Sequence, residues 1–172
     1  MTTTFTPYED AEIGAGVDLG SHRFTAEAIK AFARSYDPQP FHMDEAAARE
    51  SHFGALCASG WHSAGVWMRL MALFLADARA AALAGGGEVF ATGPSPGVED
   101  LRWLRPVYAG DTIAYSTRIV GKRKLASRPG WGLLTLESRG VNQDGTDVLT
   151  FRSHMFVETR ASRAESKGED AS

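Results

Sequence analysis

The stretch Gly60-Trp61-His62-Ser63-Ala64-Gly65-Val66-Trp67-Met68-Arg69-Leu70-Met71-Ala72-Leu73-Phe74-Leu75 decides the fold. Its spacing predicts a long helix over residues 61–83, entered through Gly60. Val66, Trp67, Met68, Leu70, Met71, Leu73, Phe74 and Leu75 cover more than one face of it. A helix apolar around most of its girth is wrapped by other elements. Arg69, Asp77 and Arg79 interrupt the apolar run and argue against a membrane span. Gly85-Gly86-Gly87 ends the helix. That triple glycine follows a helix rather than a strand and lacks the Lys-Ser/Thr ending of a phosphate loop, so it reads as a connector.

Downstream the period changes to two. Ile113, Tyr115, Thr117 and Ile119 alternate, as do Leu149, Phe151, Ser153, Met155 and Val157. Strands are predicted over residues 98–104, 112–124, 132–143 and 147–159. Ala109-Gly110-Asp111 and Gln143-Asp144-Gly145 are turn sequences, and short turns make neighbouring strands antiparallel. One long apolar helix followed by long antiparallel strands predicts an α+β architecture, a sheet curled around the helix.

Upstream, Thr25 can cap a helix that runs to Tyr36 with Ile29, Phe32, Ala33 and Tyr36 on its buried face. Pro38 and Pro40 bar the α conformation to Asp37 and Gln39, so a stiff, extended loop is expected next. Asp44 is a second cap, opening a short helix to about Glu50. The expected domain spans residues 9–160, after an N-terminal extension of residues 1–8. The polar segment 161–172 is expected to be a disordered tail.

The 172 residues suit one domain, and a net charge of -3 gives no reason to expect nucleic acid or an anionic membrane as partner. A single cysteine, Cys57, permits no internal disulfide. The N-terminus lacks the basic and apolar regions of a secretory signal, so the expected location is cytoplasmic.

The chemistry is expected on the prolyl loop. Asp37 and His42 lie five residues apart in Asp37-Pro38-Gln39-Pro40-Phe41-His42. A carboxylate and an imidazole held on a rigid loop can share one water and move its proton. From an Asp-Pro and a nearby His alone, ordinary turn chemistry is the commoner explanation.

The wider context reverses that weighting. Ser35-Tyr36-Asp37-Pro38-Gln39-Pro40-Phe41-His42-Met43-Asp44 resembles the signature of the MaoC-like dehydratases, the (R)-specific enoyl-CoA hydratases: Asp, any residue, Asn, Pro, an apolar residue, His, often with a later Asp. Gln39 stands in place of the Asn. Phe53-Gly54 with Ala58-Ser59-Gly60-Trp61 looks like the family's entry into its central helix, Ser59 standing where many members carry His. Leu104-Arg105-Pro106-Val107-Tyr108-Ala109-Gly110-Asp111-Thr112 is similar to its later strand-turn-strand segment. The resemblance covers about residues 8 to 160.

The resemblance implies a hot-dog fold and a homodimer or dimer of dimers. It implies a coenzyme A or acyl-carrier thioester as substrate; no cofactor and no metal are expected. It gives Asp37 and His42 the catalytic roles and the backbone N–H of Gly60 the polarisation of the thioester carbonyl. Free N–H groups at a helix start are fixed donors for the oxygen that gains charge. A glycine also admits close approach; a tight helix entry is the plainer use of Gly60.

Competing readings are a hot-dog acyl-CoA thioesterase and a non-catalytic acyl-binding subunit; the Asp/His pair favours the hydro-lyase. His22, His52, His62 and His154 show no ligand spacing. His62 suits the pocket or the helix surface. Lys122, Arg123, Lys124 and Arg128 form a basic cluster that can meet coenzyme A phosphates, although a solvated hairpin end is the commoner arrangement. Cys57 reads as a small apolar residue.

Overall fold

The computed structural model describes residues 7–163. Five strands form one antiparallel sheet: β1 (Gly16–Arg23), β2 (Val98–Trp103), β3 (Thr112–Lys124), β4 (Trp131–Val141) and β5 (Asp147–Glu158), in the order β1-β3-β4-β5-β2. Helix α1 (Ala26–Tyr36), the single turn α2 (Pro40–Met43), α3 (Glu45–Glu50) and the long α4 (Gly60–Ala84) complete it. This is the hot-dog arrangement.

Helix α4 lies on the sheet's inner face. Val66, Trp67 and Met71 join a core with Leu134, Leu136, Leu149 and Phe151, and the Trp67 ring meets Phe151 edge-on with centroids 4.6 Å apart. The Tyr115 hydroxyl donates to the Ser63 carbonyl at 3.0 Å, tying β3 to the helix. The sheet covers only part of the helix's girth: Trp61, Met68, Leu73 and Leu83 are exposed. No helix among the described residues is long and apolar enough to cross a membrane.

The helix caps form where expected. Thr25 accepts from the Ala28 N–H, and Asp44 accepts from those of Ala46 and Ala47. The prolyl loop differs from the extended segment expected. Only Asp37 to Gln39 is non-helical; Pro40, whose fixed φ suits a helix start, opens α2.

Strand β1 is an element the periodicity did not predict. Leu19 is its one buried residue, and a register shift at Asp18/Gly20 breaks its alternation. Tyr8, expected in an extension, is buried against Gly132, so the ordered domain includes it. Residues 160–163 form a helical turn, although a disordered tail was expected from residue 161. The Arg160 N–H donates to Glu9 and its guanidinium to Asp10, which anchors the turn. Residues 164–172 and 1–6 lie outside the described residues.

Candidate active site

Three separated sequence motifs meet at the start of α4. The Ala58 N–H donates to the Val107 carbonyl at 2.8 Å, and the Ala109 N–H to that of Leu56 at 3.0 Å. The Tyr108 hydroxyl donates to the Phe53 carbonyl at 3.0 Å. These bonds hold residues 53–60 between the prolyl loop and the segment before β3.

His42 is 5% exposed, and its Nδ1 lies 2.7 Å from the Cys57 carbonyl oxygen. A carbonyl only accepts, so Nδ1 carries the proton in the neutral ring and Nε2 keeps its lone pair. Nε2 lies 3.5 Å from Asp37 Oδ2, too far for a strong direct hydrogen bond. Two acceptors therefore face one another across a short gap.

Asp37 is held by its neighbours. Gln39 Nε2 donates to Oδ1 at 2.8 Å, so the amide that replaces the family's Asn braces the carboxylate. Burial pushes the Asp37 carboxyl up, but hydrogen bonds from Ser59 and Gln39 and the nearby His42 outweigh it and hold the group below the ordinary carboxylate value.

Ser59 is a residue that sequence reasoning noted only as a departure. It is 2% exposed and caps α4, its Oγ accepting from the Trp61 N–H at 3.3 Å while its hydroxyl bonds the Asp37 side chain. One hydroxyl thus joins the helix start to the carboxylate. The signal was present in the cap position before a helical run.

Gly60 is the first residue of α4, and its N–H has no hydrogen-bond partner among the described residues. The space left by its missing side chain is filled: a Cβ there would lie 2.5 Å from Trp103 Cε2 and 2.6 Å from Nε1. Close approach at Gly60 is thus taken up by Trp103, a contact the sequence did not suggest.

The remaining candidates fall elsewhere. His62 stacks on Phe32 with centroids 4.6 Å apart and meets Phe24 edge-on, so it is a core residue rather than a pocket or surface one. Burial, then nearby His22, pulls it down to about 4. Burial pushes the Cys57 thiol up to about 11, which makes it a poor nucleophile. Lys122 donates to the carbonyls of Tyr8, Glu9 and Ala11, and Arg128 lies over the Trp131 ring, so half of the basic cluster has structural duties.

Among the described residues, no group of three or more His, Cys, Asp or Glu is placed to hold a metal. A cleft of about 780 Å³ opens on the sheet's polar face, away from Asp37, lined by Arg102, Arg118, Arg139 and Arg152. Arg118, Arg139 and Arg152 are paired with Glu137, Asp147 and Asp100 respectively.

The chain is similar to several known proteins. A MaoC-like crystal structure from Rhodospirillum rubrum, described as a dehydratase, is 38% identical over 90% of this chain and 98% of that one, with a TM-score of 0.74. An (R)-hydratase from A. caviae involved in PHA biosynthesis shares the fold at 24% identity, covering 86% of this chain and 97% of that one, with a TM-score of 0.63. A mesaconyl-CoA hydratase from Cereibacter sphaeroides is 32% identical over 68 residues, which span 40% of this chain and 20% of that protein. The family model for the MaoC-like domain matches residues 10–130. The chain belongs to the MaoC-like dehydratase domain family.

Proposed function

We propose that this chain adds water to an enoyl thioester of coenzyme A or an acyl carrier, or removes it in reverse, with Asp37 and His42 acting on one water. The observation that carries this reading is the gap of 3.5 Å between His42 Nε2 and Asp37 Oδ2, two acceptors with no proton between them when the ring is neutral. A water placed there donates one O–H to each and turns its lone pair outward. Its oxygen attacks C3 of the enoyl group, and the Asp/His pair takes one of its protons. The electrons of the C2=C3 bond move onto the thioester oxygen, giving an enolate held by the Gly60 N–H. The proton then passes from the pair to C2, so the elements of water are added across the double bond.

A homodimer accompanies this reading. Strand β2 is a free sheet edge, and Met68, Leu73 and Leu83 of α4 with Val98 of β2 leave apolar surface uncovered. Pairing with a second copy covers both. Sedimentation at micromolar concentration should show twice the 18.5 kDa chain mass; a species of 18.5 kDa alone would contradict it.

The test of the activity is loss of the enoyl-thioester absorbance when crotonyl-CoA is mixed with the protein. Release of free thiol with the double bond intact would indicate hydrolysis instead.

A further inference from the structure

We propose that Trp61 and Trp103 form the landing surface for the pantetheine arm that carries the acyl group, an inference that rests on the thioester reading of the site. Trp103 is the last residue of β2 and its indole fills the slot at Gly60. Trp61 follows Gly60 on α4, and the two indoles meet edge-to-face with centroids 5.2 Å apart and planes at 77°. In the single chain Trp103 is 44% exposed and Trp61 60% exposed, beside the buried His42 and Ser59.

The direction of the substrate follows from exposure. C3 must reach Asp37 and His42, where His42 and Ser59 are buried and the Asp37 side chain is 20% exposed. The carbonyl oxygen is fixed at the Gly60 N–H. The sulfur leaves the carbonyl carbon on the side opposite C2, and the carrier arm must run to solvent because its far end is a nucleotide or a protein. Trp61 and Trp103 are the exposed rings that adjoin Gly60, one by sequence and one by contact. Indoles suit the arm: their faces take the dimethyl group and methylenes, and an indole N–H can donate to an amide carbonyl.

Substrates of different length test this. Crotonyl-CoA carries the whole arm; crotonyl-N-acetylcysteamine keeps the same acyl group and ends shortly beyond the sulfur. Trp61→Ala and Trp103→Ala should each lower kcat/KM for crotonyl-CoA by about tenfold, or about 1.4 kcal/mol, chiefly through KM. Each should lower it by no more than about twofold for the truncated thioester, within the scatter expected where no contact is lost. Trp103→Phe, which keeps a ring, should restore much of the loss. Thermal melting checks that each variant is folded. Equal losses on both substrates, or none on either, would overturn the assignment. So would a variant that sediments as a monomer with the substrate ratio unchanged, which would place the pair in a contact between chains. A wild-type chain that turns over neither thioester contradicts the hydration reading alone. Titration of butyryl-CoA onto the same proteins then decides the tryptophans, which must weaken binding about tenfold on removal; unchanged binding overturns the assignment.

Discussion

His42 Nδ1 donates to the Cys57 carbonyl at 2.7 Å, and that bond decides which face of the imidazole the Asp37 carboxylate sees. The donor is bound to the backbone, so the ring cannot flip without leaving a buried carbonyl unpaired. Cys57 contributes its carbonyl, and its thiol, pushed up to about 11, stays protonated at neutral pH. Cys57→Ala should therefore retain most of the activity, while iodoacetamide should label the native wild-type protein only slowly at pH 8. Rapid native-state alkylation, or loss of turnover in folded Cys57→Ala, would show that the thiol takes part.

Removing the Ser59 hydroxyl should be read in the pH profile. Asp37 is held below its ordinary value and serves as a carboxylate, so activity is present above its pKa and is lost as pH falls through it. Without the hydroxyl that pKa rises, and the acid limb of kcat/KM moves to higher pH. Ser59→Ala should show this shift and a lower melting temperature, since a lost cap costs about 1 kcal/mol. Ser59→Thr should restore both. Lower stability with an unmoved acid limb would mean that Ser59 serves the helix alone.

The contact between Gly60 and Trp103 changes what a substitution at Gly60 can report. Gly60→Ala keeps the N–H, yet its Cβ needs the space of the indole. Gly60→Ala should therefore be impaired, and Trp103→Ala should relieve part of that impairment in the double variant. Gly60→Pro also removes the donor and should fall a further ~10²-fold in turnover, the scale of one oxyanion donor. If folded Gly60→Pro matches Gly60→Ala, the N–H has no part in turnover.

His62 should set part of the acid stability. Its folded value lies at about 4, against an ordinary 6.5, because the charged ring is buried beside Phe32 and Phe24. The unfolded chain takes up a proton near 6.5, before the folded one does. The stability contribution is therefore full above that value and is lost as pH falls toward about 4, by roughly 3 kcal/mol in all. Urea unfolding between pH 4 and 7.5 should show this slope in the wild type and a flatter one in His62→Phe. The same slope in both would contradict it.

What was legible in the sequence came from local rules. Thr25 and Asp44 announced their helices as caps, and β3 spans the 112–124 range predicted for it. The sequence put the Asp/His pair on one stiff loop; in the fold Asp37 ends α1 and His42 lies on the turn α2, which aims Nε2 toward Asp37. Strand β1 was missed because it has one buried side chain and a shifted register. The Trp103 contact at Gly60 and the Lys122 bonds to Tyr8, Glu9 and Ala11 join residues far apart in the chain, beyond the reach of spacing rules.

The central claim is that Asp37 and His42 act together on one water, and the hydration rate of crotonyl-CoA by the wild type, Asp37→Asn, His42→Ala and the double variant tests it most directly. Each single variant should lose at least ~100-fold, the scale of a general acid–base group. The double variant should be little worse than either, because groups acting as a unit are not additive. Near-normal turnover in either folded single variant, or losses that multiply in the double, would contradict it.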